Sequence, residues 1–198
     1  MGTTAPAQMG ESRERILHTA EHLFNERGYA SVTLRDIADA LGIRQASLYY
    51  HFPGGKEALF VEVCEKSLDR HRTGLEEAIR GASSEPRDQL RAAACFILSQ
   101  SVPDMGRMAH SDMPEIAEEH AQRLMQMAFD SLLRPIAGIF QRAYDSGLSH
   151  SPETILLAGA FISVIASIHH LPAQFTRQPR SAMADTLIDV FLYGLTSR

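Results

Sequence analysis

The sequence predicts an all-α fold, and three observations favour it. Apolar residues recur at helical spacing in one segment after another, between breaks rich in glycine and proline. Two short segments joined by a tight turn at Gly42 form the pattern of a helix-turn-helix. A later segment, Ile155 to Ile168, is apolar almost all round, which is typical of a helix buried on every side.

The 198-residue length permits one domain or two small ones, and two closely docked modules fit best. Apolar residues make up 44% and charged residues 22%, which are ordinary globular values. A net charge of -5 argues against a protein that coats nucleic acid through bulk positive charge, so any DNA contact must be local. Residues 42–56 hold two cations, Arg44 and Lys56, and no acid.

The termini and cysteines indicate a cytoplasmic protein. Residues 1–10 lack the basic and apolar regions of a secretory signal, and we expect them to be a flexible tail. Cys64 and Cys95 are too far apart for a CxxC motif and are expected to be reduced thiols in a cytosolic protein.

The N-terminal segment predicts three helices. The first begins after Ser12, a candidate N-cap, and ends at Gly28. The second begins at Thr33, whose hydroxyl and the Asp36 carboxylate match a capping box, and ends at Gly42. The third extends from Gln45 to Phe52.

Further helices follow after the turn Pro53-Gly54-Gly55. We predict a helix over Lys56–Arg80 and, after a break at Gly81–Pro86, another that ends by Pro103. The later helices are predicted over Pro114–Gly147 with a kink or split at Pro135, Ile155–Ile168 and Ala182–Leu195. Residues 104–113 are expected to be irregular. The motif Ser151-Pro152-Glu153 predicts a helix start, with a hydroxyl cap and proline at the first position.

The apolar helix after Glu153 is shorter than the roughly 20 residues that a bilayer requires, and it contains Ser163 and Ser167, so burial is favoured over a membrane span. A natural partner surface is a second copy of the chain. The last two helices could together form a four-helix interface in a homodimer. The candidate interface residues are Ile155, Ala158, Ile162, Ile165, Leu187, Val190, Phe191 and Leu195.

The motifs Thr33-Leu34-Arg35-Asp36-Ile37-Ala38, Leu41-Gly42-Ile43, Ser47-Leu48-Tyr49-Tyr50-His51-Phe52 and Lys56-Glu57-Ala58-Leu59 together resemble the DNA-binding domain of the TetR family. The resemblance covers about residues 11–60. It implies a three-helix DNA-binding domain at 11–58, a helical-bundle domain for ligand binding and dimerisation at 59–198, and repression that a small molecule relieves.

The second helix of a helix-turn-helix presents its early residues to base edges in the major groove. Gln45 can pair with adenine, and Arg44 with guanine or a phosphate. Other candidates for contacts to bases, sugars or phosphates are Ala46, Ser47, Tyr49, Tyr50 and His51. Thr33, Arg35 and Lys56 are candidate phosphate anchors.

Core packing is the alternative for each aromatic residue, and we accept it for Phe52 and for the neighbouring Leu48. Two features depart from the family pattern. Arg44 stands where a small hydroxyl residue often caps the recognition helix, so we expect a weaker cap. The turn Pro53-Gly54-Gly55 is one residue longer than usual, which shifts Lys56.

The residues that would bind a ligand are harder to identify from the sequence than those that would bind DNA. An apolar, adaptable lining could come from methionines and phenylalanines, with a hydrogen bond from a histidine, and it predicts a hydrophobic or amphipathic effector. The alternative for each residue is ordinary core packing. The candidates are Phe96, Met105, Met108, Met113, Met125, Phe129, Phe140, Phe161 and His169.

Metal and enzyme functions receive less support. A cluster of possible ligands in residues 110–120 is explained as well by a solvated acidic face, so we assign no metal and no cofactor. The cluster comprises His110, Asp112, Glu115, Glu119 and His120. An enzyme is disfavoured, since the sequence has no nucleophile elbow, phosphate-binding glycine loop or HExxH motif. A helical adaptor that has lost DNA binding is a third possibility, and the presence of Gln45, Ser47 and Tyr49 argues against it.

Overall fold

The computed structural model describes residues 6–100, 105–149, 151–172, 174, 176 and 178–194, and for residues 6–11 and 105 it describes the backbone alone. Every regular element in these ranges is helical, which confirms the all-α prediction. The chain folds as two compact units. One unit is formed by Met1–Ser67 with Pro103–Gln126, and the other by Leu68–Val102 with Met127–Arg198.

The first unit contains the three predicted N-terminal helices. These are α1 (Pro6–Arg27), α2 (Leu34–Leu41) and α3 (Gln45–His51), and the next helix, α4, spans Gly55–Gly81. Because α1 begins at Pro6, Ser12 lies inside the helix and does not cap it. The capping box at Thr33 and Asp36 is confirmed, and Gly42 ends α2 in the left-handed conformation with φ of 66°.

The prediction that residues 104–113 are irregular was wrong for the described part. Helix α6 (Met105–Arg107) continues into a π-helical turn at Met108–Asp112 and a 3-10 turn at Met113–Glu115. The side chains of Met108 and Met113 are buried. A buried backbone needs internal hydrogen bonds, and helical turns provide them. Pro114 therefore lies in a short 3-10 turn and does not open a long helix.

The remaining helices follow the expected order. They are α5 (Pro86–Ser99), α7 (Glu118–Ala128), α8 (Arg134–Asp145), α9 (Thr154–Ser167) and α10 (Arg180–Tyr193). The break predicted at Pro135 takes the form of a π-helical turn, Phe129–Leu133, between α7 and α8. Proline lacks an N–H and its ring crowds the preceding turn, so a wider turn accommodates it.

The start of α9 differs from the prediction. Pro152 does not occupy its first turn, because the carbonyl of Pro152 already accepts a hydrogen bond from the N–H of Thr154, at 2.8 Å, in a tight turn before the helix. The hydroxyl of Ser151 accepts a hydrogen bond from the N–H of Glu153 in the same turn. The helix therefore begins at Thr154.

An aromatic cluster forms the core of the second unit. The ring of Phe161 lies 6.0 Å from that of Phe140 and 5.6 Å from that of Phe191. Phe191 is half-buried and packs within its own chain, so its predicted contact with a second copy stays a prediction. Three other candidate interface residues are buried within their own chain: Ala158, Ile162 and Ile165.

The apolar side chains of α9 and α10 that stay on the surface are Ile155, Leu156 and Tyr193, which are 43%, 69% and 49% exposed. Leu187 and Val190 are half-buried, and Leu195 lies outside the described residues. Over the described ranges, no helix is both long and apolar enough to cross a bilayer. Both cysteines are free thiols, and burial raises the pKa of Cys64 to about 12.

The turn between α3 and α4 requires two glycines for different reasons. Gly55 has φ of 70°, a conformation that residues with a side chain rarely adopt. A Cβ at Gly54 would meet the Cβ of Ala58 at 2.8 Å, which is closer than real Cβ atoms approach.

We predict that Gly54→Ala lowers the free energy of unfolding by about 1 to 3 kcal/mol, because the overpacked turn must shift. Gly81→Ala is the matched control, since a Cβ there meets nothing within 4 Å. Urea unfolding followed by circular dichroism measures both variants. Equal stability of the two variants would contradict the steric argument.

Candidate nucleic-acid interface

Helix α3 presents a polar outer face. The residues Arg44, Gln45, Ala46, Ser47, Tyr49 and Tyr50 are all exposed, Tyr49 by 49% and Tyr50 by 70%. His51 is half-buried, and its ring packs edge-on against that of Tyr50 at 5.4 Å. The structure thus brings the predicted base-contacting side chains to one surface.

The inner face of α3 holds the helix in place. Leu48 is fully buried and Phe52 is 3% exposed, so the core-packing interpretation of both residues is confirmed. The guanidinium carbon of Arg13 lies 4.6 Å from the centre of the Phe52 ring, and Arg13 also forms an ion pair with Glu62. That hydrogen-bonded pair raises the pKa of Arg13. Arg13 therefore links α1, α3 and α4, a role that sequence reasoning missed.

The start of α3 confirms the predicted weak cap. Arg44 occupies the N-cap position with extended backbone angles, and its side chain makes no capping hydrogen bond. The N–H of Ser47 instead donates to the carbonyl of Arg44 at 2.9 Å. The Arg44 guanidinium is consequently not committed to the helix and is directed outward with the rest of the exposed face.

The second predicted anchor lies at the start of α2. The hydroxyl and the backbone N–H of Thr33 both donate to the Asp36 carboxylate, at 2.6 and 2.7 Å. These hydrogen bonds hold the pKa of Asp36 below its ordinary value. Arg35 is exposed and lies 3.7 Å from Asp39. A weak surface pair of this kind leaves the guanidinium available to another anion.

Lys56 is directed towards the protein. Its ammonium donates to the carbonyl oxygen of Tyr29 at 3.0 Å and lies 3.9 Å from the centre of the Tyr29 ring. Burial lowers the pKa of Lys56. The predicted phosphate contact stays a prediction, and the placement of Lys56 identifies a structural role in joining α4 to the segment after α1.

Tyr29 is also bound from residues far along the chain. Its N–H donates to the buried carboxylate of Asp112 at 2.8 Å. Arg107 donates to the carbonyl of Asn25 at 2.7 Å and lies 3.6 Å from Asp112. The ring of Tyr29 packs against Phe60 at 4.7 Å. Residues 107–112 therefore fix the C-terminal end of α1.

A second link joins the same segment to α4. The Glu57 carboxylate accepts hydrogen bonds from the N–H of Ala117 at 3.0 Å and pairs with Nδ1 of His120 at 2.8 Å. These contacts, the backbone one foremost, lower the pKa of Glu57. The helices on both sides of the helix-turn-helix are thus bound to residues 107–120.

The candidate metal ligands do not converge. Asp112 and His120 are engaged with Tyr29 and Glu57, as described above. In the part of the chain that the structure describes, no group of three or more His, Cys, Asp or Glu residues could hold a metal ion. The acidic-face interpretation of Glu115 and Glu119, which are both exposed, accounts for these residues.

The predicted ligand-binding residues are dispersed between the two units. Met108 and Met113 are buried in the first unit. Met125 and Phe129 are half-buried. The side chain of Met105 lies outside the described residues.

The rest of these candidates lie in the second unit. A Cβ at Gly74 would overlap the Phe96 ring, so this ring packs directly on the backbone of α4. A ring nitrogen of His169 lies 3.5 Å from the carbonyl oxygen of Ile97. Phe140 and Phe161 are fully buried in the aromatic cluster. Burial of Phe140 and Phe161 fits the core-packing alternative, and their predicted contact with a ligand, like that of the half-buried Phe96, stays a prediction.

Comparison with known proteins gives a family match over the same segment. Residues 16–63 match the family described as bacterial regulatory proteins, tetR family. The transcriptional activator FasR of Mycolicibacterium smegmatis is 34% identical over 156 residues, which cover 78% of this chain and 69% of FasR. The transcriptional repressor KstR2 of the same species is 41% identical over 69 residues, 35% of this chain and 33% of KstR2.

The chain spans less than half of the length of the first curated relatives that it matches, between 33% and 44%. Among solved structures, AibR in complex with isovaleryl coenzyme A and operator DNA has a TM-score of 0.73. It is 19% identical, and the match covers 91% of this chain and 97% of AibR. At this identity the likeness is one of fold.

We predict that Asp112→Ala lowers the free energy of unfolding by about 2 kcal/mol, because the N–H of Tyr29 and the guanidinium of Arg107 lose their charged partner. Asp39→Ala is the control, since Asp39 is exposed and forms one surface pair, and a change below about 0.5 kcal/mol is expected. Urea unfolding measures both. A loss no larger than that of the control would exclude Asp112 as a clamp on α1.

Proposed function

Because the chain belongs to the TetR family of bacterial regulatory proteins, we propose that it is a homodimeric cytoplasmic repressor that binds an inverted-repeat operator and is released by a small molecule. It is a DNA-binding transcriptional regulator with a helix-turn-helix. Dimerisation, repression and release by an effector are the further steps of the proposal.

One observation carries the DNA-binding site: α3 is exposed on its polar face and anchored on its apolar face. We infer that Gln45 reads a base edge through its amide, and that Arg44 contacts guanine or a phosphate. Tyr49 and His51 then bind phosphates and fix the position of the helix in the groove. The absence of acids from residues 42–56 favours this surface, because a carboxylate there would repel the DNA backbone.

The dimer is supported by the apolar side chains that α9 and α10 leave exposed. Leu156 is 69% exposed and Ile155 is 43% exposed on α9, and Tyr193 is 49% exposed on α10. Burying such side chains against a second copy removes apolar surface from water, at about 25 cal/mol per Å². Two reading helices in one dimer would match half-sites about 34 to 36 Å apart, or more in a wide dimer.

The sign of regulation is proposed from the relatives. KstR2 is named a repressor and FasR an activator, so both outcomes occur among similar proteins. We propose repression, in which the bound dimer blocks access to the promoter. The complex of AibR with a coenzyme A thioester and DNA supports an effector, because this fold can hold a small molecule.

Effector release requires a difference in affinity between two states of the protein, typically 1 to 3 kcal/mol of coupling. We infer that residues 107–120 transmit this difference. Asp112 and Arg107 hold the end of α1, and Glu57 in the first turn of α4 holds Ala117. A shift of this segment would therefore move α1 and α4, the helices before and after the helix-turn-helix that contains the DNA-facing helix α3.

We predict that the purified wild-type protein enriches an inverted repeat from random duplex DNA at moderate salt. Gln45→Ala should relax the preference at one position of each half-site, because Gln45 contacts a base. Tyr49→Ala should weaken binding about tenfold with the same sequence preference, because Tyr49 contacts a phosphate. Fluorescence anisotropy with the enriched duplex measures the affinities.

The matched control is Tyr144→Ala, another exposed tyrosine, on α8, which should leave the affinity for DNA unchanged. Failure of the wild type to enrich any sequence, together with no salt-sensitive affinity for DNA, would overturn the proposal. If the Tyr49 and Tyr144 variants lost affinity for DNA equally, the result would contradict the assignment of α3 as the DNA-binding helix.

We predict that Leu156→Arg weakens dimerisation by about 30-fold or more, because a charge must be desolvated at the interface. Leu171→Arg is the control, since Leu171 is 47% exposed but lies beyond α9. Sedimentation equilibrium measures the association. A Leu156→Arg protein that remains as dimeric as the control would place the interface elsewhere.

A further inference from the structure

The second unit contains a cavity of about 550 Å³ that none of the predicted ligand-binding residues lines. It is formed by the last turns of α4, the connection to α5 and the side of α8. Its lining residues are Glu76, Ile79, Arg80, Ala82, Ser84, Gln89, Asp130, Arg134, Pro135 and Arg142. The cavity is widely open to solvent and its three arginines are exposed, so a small organic ligand would reach it from the surface.

The charges in the cavity favour an anion. Three arginines and two carboxylates line it. One carboxylate is already neutralised, because Asp130 pairs with Arg134 at 2.8 Å. Arg142 donates to the neutral amide oxygen of Gln89 at 2.7 Å. Arg80 and Arg142 therefore face a single further carboxylate, Glu76, and the cavity keeps a net positive charge.

The lining of the first cavity also contains apolar residues. Ile79, Ala82 and Pro135 contribute hydrocarbon surface to the same cavity. Arg134 and Arg142 are eight residues apart on α8, which corresponds to about 12 Å along the helix axis. A ligand that combines an anionic group with an apolar portion could therefore contact both kinds of lining residue.

An adjoining cavity of about 460 Å³ adds a carboxylate and no further arginine, so the positive balance belongs to the first cavity alone. It shares Ser84 and Arg142 with the first and adds Pro86, Leu148 and the exposed carboxylate of Glu85. The Arg142 guanidinium thus lies where the two cavities meet. Arginine is suited to this position, because its planar fork binds carboxylate and phosphate oxygens in pairs.

We propose that the cavity of about 550 Å³ binds an amphipathic organic anion, with its carboxylate or phosphate on Arg80 and Arg142 and its apolar portion against Ile79 and Pro135. The proposal rests on the proposed function, in that this anion is the effector. The expected effector is then an anionic molecule, whereas the sequence predicted only a hydrophobic or amphipathic one. Helix α4 carries Arg80 in its last turn and Glu57 in its first, so one helix connects this site to the contacts that hold Ala117.

Three probes with the same ten-carbon chain test the head group: decanoate, decyl phosphate and the neutral decanol. Isothermal titration calorimetry on the full-length protein without DNA measures binding below the micelle concentration. We expect at least one anion to bind, more weakly as salt rises, and decanol to bind at least tenfold more weakly than that anion. The two anions distinguish a carboxylate ligand from a phosphate ligand.

Arg80→Met and Arg142→Met should each reduce the affinity for the anion about tenfold or more, because methionine keeps the hydrocarbon and removes the fork. Arg142→Lys should have an affinity for the anion between that of the wild type and that of Arg142→Met, since lysine keeps the charge but not the planar fork. Arg180→Met, at the exposed start of α10, is the matched control and should bind as the wild type does. Thermal unfolding of each variant establishes that it is folded.

The proposal is overturned if neither anion binds, if decanol binds as tightly as both anions, or if the arginine variants bind as the control does. The DNA-selection experiment reports separately on the proposed function. DNA binding without anion binding would refute this site alone. Anion binding without DNA binding would refute the regulator and the effector role and would leave an anion-binding site. Anion binding that leaves the affinity for the operator unchanged would refute the effector role.

Discussion

Helix α3 has only seven residues, and a helix of that length does not persist by itself in water. Presentation of its outer face therefore depends on burial of Leu48 and Phe52 on its inner face. Full burial of each such side chain stabilises a protein by about 1.5 to 3 kcal/mol. Arg13 adds a guanidinium over the Phe52 ring, which joins the reading helix to α1. The rigidity of the DNA-facing surface is thus supplied by tertiary packing.

The same constraint explains the concentration of contacts at Tyr29. Its N–H, carbonyl and ring are all engaged, with Asp112, Lys56 and Phe60 respectively. The loop after α1 sets where α2 begins, so a fixed Tyr29 fixes the first helix of the reading pair. Residues 103–126 belong to this unit although they are distant in sequence. They contribute charged clamps to a small domain that would otherwise rely on a modest apolar core.

The sequence predicted those features that local chemistry determines. The Thr33 and Asp36 capping box, the left-handed Gly42 and the weak cap at Arg44 each depend on groups within four residues, so the pattern is legible without a structure. The Asp112 contact to Tyr29 joins residues 83 positions apart, and no spacing rule reveals it. Asp112 therefore resembled one more residue of an acidic face.

The apolar helix α9 illustrates a second limit. Its composition predicted burial on every side, but composition does not say which side faces its own chain. In the structure Ala158 and Ile162 are buried, whereas Leu156 on the same helix is exposed. The methionines and phenylalanines are ambiguous for the same reason, because apolar residues suited to a ligand are equally suited to a core.

Selection of an operator depends on the exposed side of α9 as well as on that of α3, because one copy of α3 supplies too little binding energy to discriminate among DNA sites. Selecting one operator among about 10⁶ competing sites takes about 8 kcal/mol. A good bidentate contact to a base contributes about 1 to 3 kcal/mol, and α3 with its N-cap offers Gln45 and Arg44 for such contacts. One copy therefore falls short of the required discrimination, and two copies double it. The proposed dimer surface is accordingly as necessary for reading an operator as the residues that touch the bases.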